Sequence, residues 1–481
     1  MSVLYNSKIW LRNKFGRDNF FLNTIEKSFD WLKGIIPFEW RYNPEFSQFK
    51  KLLNESQHWS KERLDEYQFL QTKKLLEYAE KNAIWYQKKF AEYGISSKDF
   101  INLQDIKKFP LLTKEEIRDN LDQFISKEYS RTKLMYVTTG GSTAIPFGFY
   151  QPSSLEKIDL AFFDHHWGWV GCKLTDLSVV LRGEFIGDEK KLFDFKPSKR
   201  EWRFSTYYLN EKTFDQYFKK LNEIKPVFIQ AYPSAAELFA RFLIEKNLQL
   251  SFKLKAIMLG SENIYNEQID LIEKAFNAKV HTWYGQAERV CLAPWSKNSR
   301  LFHVFPQYGL TELLDSSGNE ISNEDETGEI VATGFYNFAM PFIRYRTMDL
   351  ATHTNQKSPD GFNYRLFKRI EGRLQELIVT STGRLISMTA INMHDETFDN
   401  VRQFQFYQDT AGKLILKILP NEKFSDKDLK RIYERIKFKL GDDTDLEIKI
   451  VESIPRTKSG KLRFLDQKLE IKNWSKIEKI K

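Results

Sequence analysis

The chain has 481 residues, 41% hydrophobic and 15% aromatic, which supports several packed cores and excludes disorder over most of its length. At about one domain per 150 residues, about three lobes are expected. Its 74 basic against 65 acidic residues give a formal charge of +9, spread along the sequence except for a Lys-rich tail after Lys458. That pattern argues against a nucleic-acid partner, which wants a concentrated basic face with stacking aromatics, and describes a solvated surface tolerant of anionic substrates.

Two cysteines, Cys172 and Cys291, cannot build a disulfide framework and sit in no metal-like spacing, so a reducing, cytoplasmic setting is expected. Lys8, Arg12, Lys14 and Arg17 interrupt any early apolar run, so no secretory signal is expected. No window approaches about 18 consecutive apolar residues, so no transmembrane helix is expected either. The aromatic stretch from Phe29 to Phe38 is expected to pack on the domain, with peripheral membrane contact as the alternative.

In chain order, residues 45–130 read as helices, with Leu64, Tyr67, Leu75, Tyr78 and Ala79 at helical spacing. Thr113 followed by Glu116 marks a capped helix start. From residue 134 the pattern alternates between strand and helix. Strands are predicted at Leu134–Val137, Leu177–Leu181, Val227–Gln230, Ala256–Leu259 and Val280–Trp283, and helices at Ser153–Trp167, Glu211–Glu223, Ala235–Lys246 and Glu267–Phe276. This alternation predicts an α/β fold with a largely parallel, helix-covered sheet and its site where strands end and loops begin. After about residue 300 the chain turns β-rich, with strands at Gly328–Thr333 and Phe342–Arg346. Beyond a boundary near Gly372-Arg373 a small α+β module follows: a hairpin of Leu377–Thr380 with Leu385–Met388, strands at 401–407, 413–419 and 446–451, and a helix near 426–439.

Three candidate chemical segments fall at predicted strand ends. The Thr138–Pro146 loop offers backbone N–H groups through Gly140-Gly141 and hydroxyls on Thr139, Ser142 and Thr143; it reads as an anion nest or as a Gly/Ser/Thr-rich hairpin turn. Gly260-Ser261-Glu262 and the segment Tyr284–Glu288 follow two later strands. Glu288 could hold Mg2+ beside a triphosphate or lie on the surface. Asp349 could accept a ribose diol or pair with Arg344 and Arg346. The adjacent His165 and His166 point to different helix faces, which makes a poor metal site and suits packing or a substrate pocket.

Taken together and in order, Thr139–Pro146, Tyr284–Glu288, Gly328-Glu329, Ile343–Asp349, Gly372–Glu376 and Pro455–Lys461 resemble the core motifs of the adenylate-forming (AMP-binding) superfamily. The helical N-terminal part and Ala231-Tyr232-Pro233-Ser234 resemble its phenylacetate–CoA ligase/CapK-like branch, which is often linked to capsular polysaccharide pathways. The resemblance spans about residues 60–465. It implies a large domain over 1–371, helical over about 1–130, and a small mobile C-terminal lid over 372–481 hinged at Glu376. It also implies an ATP- and Mg2+-dependent ligase that activates a carboxylic acid as acyl-AMP and passes the acyl group to coenzyme A or an amine. Thr139, Gly140, Gly141, Ser142 and Thr143 would cradle phosphates, and Gly260, Ser261, Glu262 and Tyr284 would line adenine and the α-phosphate. Glu288 would hold the metal, Asp349 with Arg373 the ribose, and Lys461 the reacting carboxylate and phosphate. Ala144 and Met348 stand where the family has glycine, and Ile145 where it has lysine. The alternative is an adenylate fold kept for binding or scaffolding in polysaccharide assembly.

Overall fold

The computed structural model describes residues 28, 30–42, 44–138, 147–182, 191–373, 377–391, 396–398, 400–457, 462–469 and 471. The N-terminal part is helical, as expected, with long helices at Glu45–Ser56, Lys61–Asn82 and Ile84–Glu92. Leu64, Leu75 and Ala79 form the buried stripe of the second. Thr113 caps the helix Lys114–Asp119 in the expected box: Glu116 donates its N–H to Thr113 Oγ1, and Thr113 N–H donates back to Glu116 Oε2 at 3.0 Å.

The strands in chain order are β1 (Met135–Thr138), β2 (Gly148–Gln151), β3 (Ser178–Arg182), β4 (Phe193–Lys196), β5 (Glu201–Ser205), β6 (Phe228–Ala231), β7 (Ala256–Leu259), β8 (Lys279–Gly285) and β9 (Leu292–Pro294). They continue as β10 (Phe302–Val304), β11 (Gly309–Leu314), β12 (Thr327–Gly334), β13 (Tyr345–His353), β14 (Arg365–Arg373), β15 (Leu377–Val379), β16 (Leu385–Ser387), β17 (Val401–Thr410), β18 (Lys413–Pro420), β19 (Asp445–Ile450) and β20 (Leu465–Gln467). A seven-stranded sheet runs β4-β5-β3-β6-β7-β8-β9. Within it β5, β3, β6, β7 and β8 are parallel, and β4 and β9 pair antiparallel at the edges. The helices Pro233–Glu245 and Asn266–Phe276 are the crossovers from β6 to β7 and from β7 to β8. β7, fully buried along its length, reads Ala-Ile-Met-Leu, the unbroken apolar run that a sheet covered on both faces requires.

Two predicted strands differ. The Leu134–Val137 strand is present as β1, but it pairs with β2 in a separate antiparallel hairpin rather than joining the parallel sheet. The Phe342–Arg346 strand starts only at Tyr345, because Arg344 takes φ +48°, a left-handed turn of the backbone that breaks the extended run before it. β2, β4, β5, β9, β10, β11, β14 and β20 were not named from the sequence, although a β-rich stretch after about residue 300 was expected.

A second, antiparallel sheet runs β10-β14-β13-β12-β11 and shares the main hydrophobic core with the first. The C-terminal module has its own core around Phe406, Leu416, Ile432 and Ile436. There β19-β18-β17-β20 form a mixed sheet backed by the helix Asp426–Leu440, and β15 and β16 form the expected hairpin. The architecture is α/β, a large body of helix-covered sheets with a small α+β C-terminal module. No described helix is long and apolar enough to cross a membrane. Both cysteines are buried free thiols, each pushed up to about 12 by burial.

Candidate active site

Two body loops follow the carboxyl ends of β7 and β8. The β7 loop begins at Gly260, which is buried against the β8 tryptophan: a Cβ there would stand 3.0 Å from Trp283 Cζ2. Ser261 is exposed and left-handed at φ +69°. β8 ends on Tyr284 and exposed Gly285, and the loop after it carries Glu288 and exposed Ala287.

Tyr284 donates its hydroxyl to Asp349 Oδ2 at 2.8 Å. Burial, then the Asp349 charge, push the phenol well above its ordinary value, so it remains a donor. Asp349 N–H in turn bonds Thr347 Oγ1 at 3.1 Å. The alternative in which Asp349 serves the neighbouring arginines is not what forms. Arg344 makes a bidentate pair with Glu312, and Arg346 pairs with Glu329 at 2.6 Å. Arg373 ends β14 in register with Asp349; its side chain lies outside the described residues.

Glu288 is only 6% exposed, so it is not a surface glutamate. Its Oε1 accepts the Tyr345 hydroxyl at 2.6 Å. Tyr345, Thr347 and Asp349 alternate along β13, so one strand face serves both Glu288 and the Tyr284–Asp349 pair. The next residue, Arg289, is left-handed at φ +55° and is held by Asp159 and Gln151, while Tyr308 donates to Asp159 at 2.6 Å. Gly334 lets β12 pass this turn closely, since a Cβ there would sit 2.9 Å from Arg289 O. Glu288 therefore projects from a turn fixed on both sides.

Met348, where the family has glycine, adopts φ +63°, the left-handed region where glycine carries no steric penalty. Glu329, itself 2% exposed, holds this residue by accepting Met348 N–H at 3.2 Å while pairing with Arg346.

Glu262 is engaged elsewhere. It accepts Ser234 N–H at 3.0 Å and Ser234 Oγ–H at 3.1 Å, and it also accepts Leu462 N–H at 3.0 Å. Arg456 reaches Ser234 Oγ at 3.5 Å. Burial raises the Glu262 carboxyl, opposed by the Ser234 bonds and the Arg456 charge. Tyr265 packs edge-on against Phe464 at 5.4 Å, and Arg402 pairs with Glu211 at 2.9 Å. The C-terminal module is thus seated at the β7 loop.

Thr139, Gly140, Gly141, Ser142 and Thr143, together with Glu376 and Lys461, lie outside the described residues. Their flanks are placed. Thr138 and Gly148 face each other across the β1–β2 hairpin, and Phe147 stacks at 6.3 Å on Tyr345, the partner of Glu288. Leu462, next after Lys461, is the residue bonded to Glu262.

His165 and His166 do point to different partners, Asn54 at 3.1 Å and His281 at 3.0 Å. Burial lowers all three imidazoles, His165 to about 4 and His281 to about 3, so the His166–His281 contact is a neutral pair sharing one proton. The neighbouring aromatics Phe162, Phe163, Trp167 and Trp169 pack on Tyr308, Trp283, Phe228 and Phe362 respectively. They are core.

Sequence reasoning missed Tyr345, the Asp159–Arg289–Gln151–Tyr308 network and the Ser234–Arg456 seat. Tyr345 carried a usable signal, since it shares strand parity with Asp349 inside a segment already singled out; Ser234 and Arg456 also lie in singled-out segments, but nothing in their spacing pairs them.

A family model for the CapK C-terminal domain matches residues 378–468. The phenylacetate-coenzyme A ligase of Escherichia coli (strain K12) is 36% identical over 441 residues, 84% of this chain and 95% of that protein. Protein CapK of Staphylococcus aureus is 26% identical over 443 residues, 90% of this chain and 94% of that protein. Among solved structures, 2-hydroxyisobutyryl-CoA ligase in its postadenylation state in complex with 2-HIB-AMP superposes with a TM-score of 0.70 at 19% identity, covering 86% of this chain and 91% of that one. The fold is that of the adenylate-forming enzymes. Within that class, the chain belongs to the phenylacetate–CoA ligase/CapK-like branch.

Proposed function

We propose that this chain is an AMP-forming acid ligase that converts a carboxylic acid and ATP to acyl-AMP and pyrophosphate, then passes the acyl group to the thiol of coenzyme A. The observation that carries this reading is the bond from Leu462 N–H to Glu262, which seats the residue after Lys461 on the loop that follows β7, the sheet neighbour of the strand that ends in Tyr284-Gly285. The names of the relatives, phenylacetate-coenzyme A ligase and 2-hydroxyisobutyryl-CoA ligase, support the thiol as acceptor.

In the first half-reaction the acid's carboxylate oxygen attacks the α-phosphorus in line, and the bond to the β-phosphate oxygen breaks. The protein's part is positioning and charge stabilisation. Gly260, Ser261 and Tyr284 line the adenine side, the Asp349 carboxylate takes the ribose hydroxyls with Arg373 beside it, and Thr139–Thr143 surround the β- and γ-phosphates. The Lys461 ammonium stabilises the negative charge at the attacked phosphoryl group.

Among the described residues no group of three or more His, Cys, Asp or Glu forms a metal cage. A single buried carboxylate such as Glu288 nevertheless fits Mg2+, which keeps waters and phosphate oxygens in its shell. Bound there, Mg2+ would offset charge on the leaving pyrophosphate.

In the second half-reaction the acceptor thiol attacks the acyl carbonyl, AMP leaves, and the thiol proton is released. We propose that the chain divides into 1–371 and 372–481, and that the smaller part turns about Glu376 between the two half-reactions. Hinge closure of this kind needs only a few residues to change φ and ψ.

The test is product analysis with ATP, Mg2+ and a panel of aryl, short-chain, amino and sugar acids, with separate coenzyme A and amine arms. AMP and a thioester are the expected products. An amide instead would move the acceptor to an amine, and ADP would overturn adenylation.

A further inference from the structure

Sixteen large apolar side chains are exposed among the described residues, and five of them fall within ten positions: Trp31 (62%), Leu32 (57%), Ile35 (64%), Ile36 (44%) and Trp40 (78%). The segment is not loosely placed. Residues 30–35 are helical, and a second short helix follows at Phe38–Tyr42. Ser198 donates its hydroxyl to Asp30 Oδ1 at 2.5 Å and its N–H to Oδ2 at 3.3 Å, and Arg41 donates to Ser198 O at 2.5 Å. Gly34 lies against Pro197, where a Cβ would be 3.1 Å from the Pro197 carbonyl carbon. Phe38 turns inward on Phe46 at 5.1 Å. The polar and inward groups thus fasten the segment to the Pro197–Lys199 turn, and the tryptophans and aliphatics are presented outward.

The surroundings are basic. Lys33, Lys199 and Arg200 are exposed, and Lys196 lies within electrostatic reach of Lys199 and Arg203 and, to a smaller extent, of Glu201 and Asp30. The carboxylate of Asp30 is turned away on Ser198. Half-exposed Phe195 extends the apolar surface along edge strand β4.

Topology places this surface away from the candidate site. Lys196 and Glu201 face each other across the β4–β5 turn, so the turn lies at the amino end of parallel strands whose carboxyl ends carry the Gly260 and Glu288 loops.

We propose that this surface docks the protein on an anionic lipid bilayer, a property beyond the ligase reading. Tryptophans at a bilayer interface bury an apolar ring while their N–H stays hydrated, and aliphatics beside them enter the acyl boundary. Lysines and arginines around the patch gain from the negative surface potential of acidic headgroups. A protein partner would need a complementary groove, whereas a bilayer needs only this combination of apolar centre and basic rim. Docked this way, the site faces the aqueous phase.

The test is sedimentation of the full chain with phosphatidylcholine vesicles, with and without phosphatidylglycerol, across a salt series. Wild type should pellet with the phosphatidylglycerol vesicles, and less so as salt rises. Trp31→Ser/Trp40→Ser should lower the partition by about tenfold or more. Lys33→Glu/Lys199→Glu should remove much of the salt-sensitive part. Both variants should keep wild-type acid-dependent turnover, which shows that they fold. Equal pelleting of wild type and the tryptophan variant would overturn the proposal, as would no pelleting of wild type. So would self-association without vesicles that the tryptophan variant abolishes, because the face would then serve a second copy of the chain.

Discussion

The body and the C-terminal module hold their candidate residues in opposite ways. In the body, Glu288 and Asp349 are buried, each bonded to a tyrosine hydroxyl, and the turn after Glu288 is locked by Asp159 and Gln151. Among the described residues the module meets the body through Leu462 N–H on Glu262, Arg456 on Ser234, Asn421 on Glu245, the Arg402–Glu211 pair, Phe464 on Tyr265, and the packing of Leu377 and Leu385 on Leu350. A nucleotide site needs fixed donors and acceptors, because preorganisation is what electrostatic stabilisation depends on. A part that serves one half-reaction and then yields to the next needs contacts worth only a few hydrogen bonds. On the proposed reading, the difference assigns nucleotide binding to the strand ends of the body and the change between half-reactions to the module.

Substitutions on either side sharpen this contrast. Lys461→Ala removes the module's cation and should lower pyrophosphate release about 10²–10³-fold, with ATP affinity in equilibrium binding little changed. Glu288→Gln, on the body side, should lower the rate by about 10² and raise the Mg2+ concentration needed for half-maximal rate. An unchanged Mg2+ dependence would remove Glu288 from the metal role. Glu262→Ala unseats Leu462 and Ser234 together. The loss of charge-assisted hydrogen bonds should cost about tenfold in adenylation and expose the segment around Leu462 to limited proteolysis. If both stay at wild-type values, that contact does not hold the module.

The smallest effect is on stability within the module. Arg384, with Thr382 and Thr380, holds the Asp443 carboxyl well below the usual carboxylate range. A depressed folded-state value stabilises the fold above the unfolded pKa of about 4, and that contribution is lost as pH falls through the folded value. The Tm gap between wild type and Asp443→Asn should therefore be full at neutral pH and narrow below about pH 4. A gap independent of pH would contradict the Arg384 account.

The same contrast governs what the sequence made legible. β7 was read to the residue because Ala256–Leu259 is an apolar run buried on both faces. β4 and β5 escaped because charges interrupt them; Asp194 and Arg203 sit opposite each other across the pair and form an ion pair at 2.5 Å. β20 is three residues long and owes its existence to pairing with β17. The candidate carboxylates were legible as motif positions, but their partners were not. Tyr345 lies 57 residues from Glu288, and Asp159 lies 130 from Arg289, so only the folded sheet brings them together. The left-handed backbone at Met348 is the conformation that glycine adopts freely, a requirement invisible in the sequence, and nothing in the structure explains the methionine there.

ATP–pyrophosphate exchange by the wild-type chain, with Mg2+ and the acid panel but no thiol or amine, tests the central claim most directly. Exchange that appears only with a particular acid is the predicted result, since it requires a reversible acyl-AMP held at the body's strand ends. ATP binding without exchange for any acid in the panel would contradict the account and leave the fold as a binding scaffold.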